Sequence, residues 1–208
     1  MDNLRHQMVH HQLRQRGLKN KELLAVMERV PRHLFVEKKY QSIAYDDRPL
    51  PIGYDQTISQ PYIVGYMTDQ LNVMPHHIVL EIGTGCGYQT AILSELASKV
   101  YSVERIPELA KSVQPRLHEL GYKNVDVILG NGWNGHQKEA PYDRIMVTAG
   151  AKKIPEPLLE QLACGGRMVI PVGRMTFNQF LKIVRKDSYG NISTETTLPV
   201  RFVKLKKN

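Results

Sequence analysis

Residues 79–90, VLEIGTGCGYQT, constrain the fold more than any other stretch: an apolar run of strand character enters Gly83, Gly85 and Gly87 and continues directly as a helical pattern. Glycine at alternate positions of a strand-to-helix turn brings the backbone close to something else. After Pro75, short apolar runs keep alternating with helical spacing, which predicts a parallel sheet covered on both faces. Strands are expected near 77–82, 99–103, 124–128, 143–148 and 166–172, and helices over 88–97, 107–120 and 155–162. Pro107 and Pro155 suit a first helical turn. Two alternating runs then follow, 177–185 and 193–205, joined through Tyr189, Gly190 and Asn191, and read as a β-hairpin at the sheet edge. The expected class is α/β, a doubly wound and mostly parallel sheet.

The front end is different in kind. Leu4, Met8 and Leu13 lie on a helical face within 3–16, and Gly17 supplies a stop. Asn20 can cap a second helix bearing Leu23, Leu24, Met27 and Val30 before Pro31 closes it. Residues 45–61 are rich in proline and glycine and read as an ordered loop of functional length. Ser59 is placed to cap a third helix, with Gln60 and Pro61 in its first turn and Ile63, Val64, Met67 and Leu71 along one face. At 208 residues the chain is expected to be a single domain, 1–208, with a helical part over 1–74 and an α/β core over 75–208.

Composition excludes several classes. The chain is 42% hydrophobic and 23% charged, near globular averages, so disordered, collagen-like and coiled-coil readings fit poorly. The net charge of +8 is scattered apart from Lys204, Lys206 and Lys207, and is read as a solvated surface. Cys86 and Cys164 form no metal or redox motif, and no metal is expected. There is no secretory h-region and no apolar stretch of 18 residues, so a cytoplasmic protein that meets neither membrane nor nucleic acid is expected, and a monomer.

The acids around the glycine loop narrow the ligand. Glu104 closes the second strand, 17 residues after Gly87, where a carboxylate can receive the two hydroxyls of a ribose. Glu81, two residues before the first glycine, would repel a pyrophosphate but suits a ligand carrying an ammonium and a sulfonium. S-adenosylmethionine carries both. The plain alternatives are a strand-end carboxylate for Glu81 and a solvated ion pair for Glu104.

Beyond these residues, the chain resembles the protein-L-isoaspartate O-methyltransferase family over nearly its whole length. The likeness rests on PLPIG at 49–53, QTISQP at 56–61, VLEIGTGCGYQTAIL at 79–93, SVER at 102–105, GNGW at 130–133, GGRMVIPVG at 165–173 and VRFV at 200–203. The glycine motif alone indicates the methyltransferase superfamily, while QTISQP and VRFV are specific to the family. The resemblance implies a class I methyltransferase (Rossmann-like) fold, with 1–74 carrying the substrate loop and 75–208 binding S-adenosyl-L-methionine. It implies Ser59 at the active site, Glu81 and Gly83 about the methionine part, Glu104 on the ribose and Asn131 toward the adenine, with Thr84, Gly85 and Gly132 also binding the cofactor. Ile58, Ser59, Val200, Phe202 and Val203 would meet the substrate. The chain departs from the family pattern at Asn131, where aspartate is usual, and at Cys86, Lys152, Lys153 and Lys204.

The implied reaction is methylation of the free α-carboxylate of L-isoaspartyl residues in damaged proteins and peptides, which initiates their repair. A carboxylate is already ionised at neutral pH, so positioning and not a general base is the main demand. Ser59 could orient one carboxylate oxygen, and the backbone of VRFV could pair with an extended peptide. A nucleic-acid methyltransferase is disfavoured by the fourth strand ending VTAG, which has no Asn- or Asp-Pro-Pro-aromatic cluster to hold an exocyclic amine. An oxidoreductase is disfavoured by Glu81. A non-catalytic binding module is disfavoured by the intact QTISQP and Glu104.

Overall fold

The computed structural model describes residues 1–174 and 178–207. In chain order the strands are β1 (Leu50–Gly53), β2 (Gln56–Ile58), β3 (Ile78–Ile82), β4 (Lys99–Glu104), β5 (Val125–Leu129), β6 (Tyr142–Val147), β7 (Leu162–Arg174), β8 (Asn178–Lys186) and β9 (Ile192–Val200). The helices are α1 (Asp2–Gln7), α2 (Lys21–Arg29), α3 (Pro61–Leu71), α4 (Tyr88–Leu96), α5 (Pro107–Glu119) and α6 (Glu156–Glu160). Strands β3 to β9 form one sheet in the order β5-β4-β3-β6-β7-β8-β9, parallel through β7 and antiparallel for β8 and β9. The expected doubly wound sheet and its edge hairpin are both present. Phe177, where the hairpin was expected to begin, lies outside the described residues.

Alternate residues of the central strands bury into opposite layers, as a strand covered on both faces requires. Val79, Met146 and Val169 join the cluster under the N-terminal helices, whereas Leu80, Ile145, Val147 and Met168 join a second cluster with Leu158 and Leu162. On leaving β3 the chain forms β4 on one side, and β6 occupies the other. The order reverses at β3, which opens a crevice beyond the carboxyl ends of β3, β4 and β6.

Several local expectations are corrected. The segment 3–16 is not one regular helix: α1 gives way to a wider π-type helix, Met8–Arg14, with Gln15 N–H donating to His10 C=O at 3.0 Å. That widening buries Met8, Val9 and Leu13 together and leaves Leu4 exposed. The Asn20 cap is present, its side chain accepting from Leu23 N–H at 3.1 Å. The loop over 45–61 contains a hairpin, β1 and β2, turned by Tyr54 and Asp55 with φ of 53° and 56°. Ser59 is not the cap of α3. Gln60 holds that position, and Pro61 begins the helix. The last strand ends at Val200 rather than Leu205, because the Gln179 amide takes over the pairing: it accepts from Phe202 N–H at 2.6 Å and donates to Phe202 C=O at 3.2 Å.

Candidate active site

Each glycine of the loop after β3 is there for a separate reason. Gly83 has φ +97°, and a Cβ would strike the Thr148 hydroxyl; Gly87 has φ +88°, and a Cβ would lie 2.7 Å from Val113 Cγ1. Gly85, at φ +56°, donates its N–H to Glu104 Oε2 at 2.9 Å. The other carboxylate oxygen of Glu104 accepts from Ile106 N–H, also at 2.9 Å. One acid therefore ties the glycine loop to the segment after β4 and still has lone pairs turned to the crevice.

The crevice is a cavity of about 160 Å³ bordered by Ile82, Gly83, Gly85, Glu104, Ile106, Asn131 and Gly132, and closed by Tyr54 of the β1–β2 turn and Val203 to Lys206 of the C-terminal segment. Beside it lies a smaller space of about 50 Å³ bordered by Ile58, Ser59, Met67 and Thr84. An open groove of about 560 Å³ follows, lined by Ser59, Gln60, Ile63, Val200, Arg201, Phe202 and Val203. Thr57 and Thr148 border all three spaces, so the three adjoin one another. Ser59 stands between the small space and the groove.

Most residues singled out in the sequence therefore gather here. Glu81 does not. Its side chain is fully buried below the loop, where Oε2 accepts from Thr90 Oγ1 of α4 at 2.5 Å and from Ser102 Oγ of β4 at 2.6 Å, while Oε1 has no partner. Burial, against the pull of those two hydroxyls, pushes its pKa up to about 8. Glu81 is a buried brace between α4 and β4, neither facing the cavity nor carrying a full charge toward it at neutral pH. Charge patterning along the chain could not reveal that burial.

Asn131 borders the cavity, but its amide is already engaged. Its Oδ1 caps Trp133 N–H at 3.0 Å and its Nδ2 donates to Lys207 C=O at 2.6 Å, which fastens the C-terminal segment over the cavity. A Cβ on Gly132 would collide with Ile82 Cγ2, so only glycine lets the backbone sit against β3 there. The expectation that VRFV offers its backbone to a peptide is narrowed. Gln179 occupies both backbone groups of Phe202, and Val203 C=O accepts from Gly150 N–H at 2.7 Å. Val200, Phe202 and Val203 do line the groove.

Sequence reasoning missed Thr57, Thr148 and the hairpin residue Tyr54. Thr57 lies inside QTISQP, and Thr148 ends the strand that carries VTAG, so strand-end position was the available signal for the latter. Thr148 Oγ1 lies 2.7 Å from Gly83 C=O and 3.0 Å from Ile82 C=O, which fixes it at the end of β3. No histidine among the described residues borders the three spaces. Nor is any helix among the described residues long and apolar enough to cross a membrane.

The crevice suits a nucleoside ligand: it offers acceptors on Glu104, and it is built where backbone replaces side chains at Gly83, Gly85 and Gly132. Comparison with known proteins agrees. The family model described as protein-L-isoaspartate(D-aspartate) O-methyltransferase (PCMT) matches residues 4–208. A protein-L-isoaspartate O-methyltransferase of Gloeobacter violaceus (strain ATCC 29082 / PCC 7421) is 50% identical over 198 residues, 95% of this chain and 96% of the relative. A solved protein-L-isoaspartate O-methyltransferase superposes with a TM-score of 0.89 at 27% identity, covering 100% of this chain and 67% of that one. A Plasmodium falciparum β-aspartate methyltransferase (PCMT), crystallised with S-adenosyl-L-homocysteine, superposes with a TM-score of 0.83 at 25% identity, covering 98% and 99%. With a family model spanning the chain and a crevice built for the ligand such enzymes hold, this chain belongs to the protein-L-isoaspartate(D-aspartate) O-methyltransferase family.

Proposed function

We propose that this chain transfers a methyl group from S-adenosyl-L-methionine to the free α-carboxylate of L-isoaspartyl residues in damaged proteins and peptides. The observation that carries this reading is that the crevice bordered by Glu104 and the glycine loop adjoins an open groove, with Thr57 and Thr148 in the walls of both. When bound, the cofactor supplies an electrophilic methyl group on a sulfonium. The chain's own part is to align an acceptor behind that methyl group and to keep water away.

Glu104 is assigned to the ribose hydroxyls, with backbone at Gly83, Thr84 and Gly85 approaching the methionine part and Gly132 against the adenine. Asn131 reaches the adenine amino group only through the second lone pair of Oδ1, since Trp133 N–H uses the first. Ser59 is the catalytic donor: its hydroxyl orients one carboxylate oxygen and leaves the other free to attack. No proton has to be removed from a carboxylate at neutral pH, in keeping with a site that histidine does not border. Ile58, Val200, Phe202 and Val203 supply apolar walls for the substrate backbone, and Arg201 adds a cation at the groove.

The methyl ester, unlike the carboxylate, carries a group that can leave its acyl carbon, methoxide. The neighbouring amide nitrogen then closes a succinimide with loss of methanol, and hydrolysis returns part of the material to the normal aspartyl linkage. We place the enzyme in the cytoplasm as a single-domain monomer that acts on proteins rather than on nucleic acid or membranes. Cys86 and Cys164, both free thiols, accord with a reducing compartment. The test is methyl transfer from radiolabelled S-adenosylmethionine to an isoaspartyl peptide and to its aspartyl twin. Base-labile label is expected in the first alone; equal labelling of both would overturn the reading.

A further inference from the structure

On the side of the sheet away from the crevice, three arginines stand in a row, near the start of β6, midway along β7 and near the end of β8. Arg144 on β6 is in register with Arg167 on β7, and Arg167 with Arg185 on β8, so the three share one face of neighbouring strands. Like charges directly opposite one another on adjacent strands are destabilising. Each of the first two guanidiniums is held below its ordinary range, Arg144 by burial and then by Arg167, and Arg167 by burial and then by Arg185.

Among the described residues, Arg144 and Arg167 hydrogen-bond only backbone carbonyls, which carry no full charge. Arg144 Nε donates to Asn72 C=O at 3.0 Å and its Nη1 to Asp143 C=O at 2.7 Å, while Arg167 Nη1 donates to Gln70 C=O at 3.0 Å. Gln70 and Asn72 lie at the C-terminus of α3, which favours cations but offers only about half a charge. Among the described residues, Arg185 is the one member of the row with a carboxylate within salt-bridge distance, Glu195 at 2.8 Å. Asp187 hydrogen-bonds Tyr189 and Asn191 of its own turn and Asp143 Oδ2 accepts from Ile78 N–H, and among the described residues neither carboxylate lies within salt-bridge distance of the row. His77, with its pKa lowered to about 4 by burial and then by Arg144, adds no charge at neutral pH.

These arginines border a cavity of about 390 Å³ together with Lys186, the Gly165–Gly166 turn and one carboxylate, that of Asp187. Arg144 Nη2, Arg167 Nε and Nη2, and Arg185 Nε and Nη1 meet no acceptor among the described residues. We propose that this cavity is a second binding site, for a small oligoanion of linked phosphoryl groups. Strands lie about 4.8 Å apart, so the row spans roughly 10 Å, a match for two or three linked phosphoryl groups and too wide for one. Guanidinium forks suit that chemistry. Arg144 is only 9% exposed and lies within the cavity, accessible to a compact anion but not to a duplex or a lipid surface, which meet projecting cations.

The test is calorimetric titration of the full chain with sodium triphosphate, ATP and sulfate at fixed ionic strength and pH 7. Saturable one-site binding of triphosphate, at least tenfold tighter than sulfate, is expected. Arg167→Gln and Arg185→Gln should each weaken it about tenfold or more, the loss of a charge-assisted pair, while S-adenosylhomocysteine binds as before. Among the described residues the Arg185 side chain hydrogen-bonds Glu195 and not α3, so its variant leaves the α3 anchor intact if Arg167→Gln fails to fold. Equal affinity for ATP and triphosphate identifies the phosphoryl chain as the whole ligand, and tighter ATP binding adds a nucleoside to it. No saturable triphosphate binding, unchanged binding by both variants, or capture of duplex RNA without triphosphate would overturn the proposal.

Discussion

Glu104→Gln separates a ligand contact from a structural brace. The carboxylate receives Gly85 N–H and Ile106 N–H, each at 2.9 Å, on different oxygens. Glutamine keeps one acceptor and turns an NH₂ group against the other backbone donor. One charge-assisted bond is lost, about 1.5–3 kcal/mol of stability. In a domain of this size that lowers the unfolding midpoint by roughly 3–12 °C. The same change removes one of two acceptors for the ribose, so the dissociation constant for S-adenosylhomocysteine should rise roughly 10- to 150-fold. Calorimetry with S-adenosylhomocysteine and with its 2′,3′-dideoxy analogue completes a double-mutant cycle. The dideoxy ligand should bind the natural protein and the variant with similar affinity, because the hydroxyls that Glu104 would hold are gone. A fall in the midpoint with less than a threefold change in affinity would refute the ribose assignment and leave Glu104 as a brace alone.

Ser59→Ala should lower kcat about tenfold through loss of one donor to a charged oxygen, with cofactor affinity unchanged in calorimetry; a large loss of cofactor binding would place Ser59 elsewhere. Glu81, raised from 4.5 to about 8, keeps a proton in the folded chain that the unfolded chain has released, so its contribution to stability is full below pH 4.5 and is lost as pH rises to about 8. Urea unfolding at pH 5.5 and 8.5 should show this decline in the natural protein and a smaller one in Glu81→Gln; equal declines would contradict the buried neutral acid. Gly87→Ala forces a side chain onto φ +88° and 2.7 Å from Val113 Cγ1, and should cost about 1–3 kcal/mol in urea unfolding, an outcome excluded if stability is unchanged.

The parts of the fold that were legible are those written as period and punctuation. The parallel core could be read because apolar runs, glycines and first-turn prolines recur at fixed offsets, and β3, β4 and α5 fall within a residue or so of expectation. The β1–β2 hairpin was not, because Pro49, Pro51 and Gly53 have loop composition and its turn uses Tyr54 and Asp55 at positive φ instead of the glycine or asparagine that signal such turns. The end of β9 was hidden for another reason: a side chain, Gln179, substitutes for a strand, and no pattern within VRFV records a partner more than twenty residues away.

The same distinction runs through the site. Gly83, Gly85 and Glu104 were found because backbone approach and strand-end position are local properties. Glu81 was misplaced because its meaning depends on whether Thr90 and Ser102 enclose it, which is a property of packing. Asn131 shows both at once. Its position in GNGW points to the cavity, yet its amide holds the C-terminal carbonyl of Lys207, so one residue couples the wall of the cavity to the segment that closes it. The two acids singled out in the sequence therefore have unequal places: Glu104 borders the crevice, whereas Glu81 braces the scaffold beneath the loop.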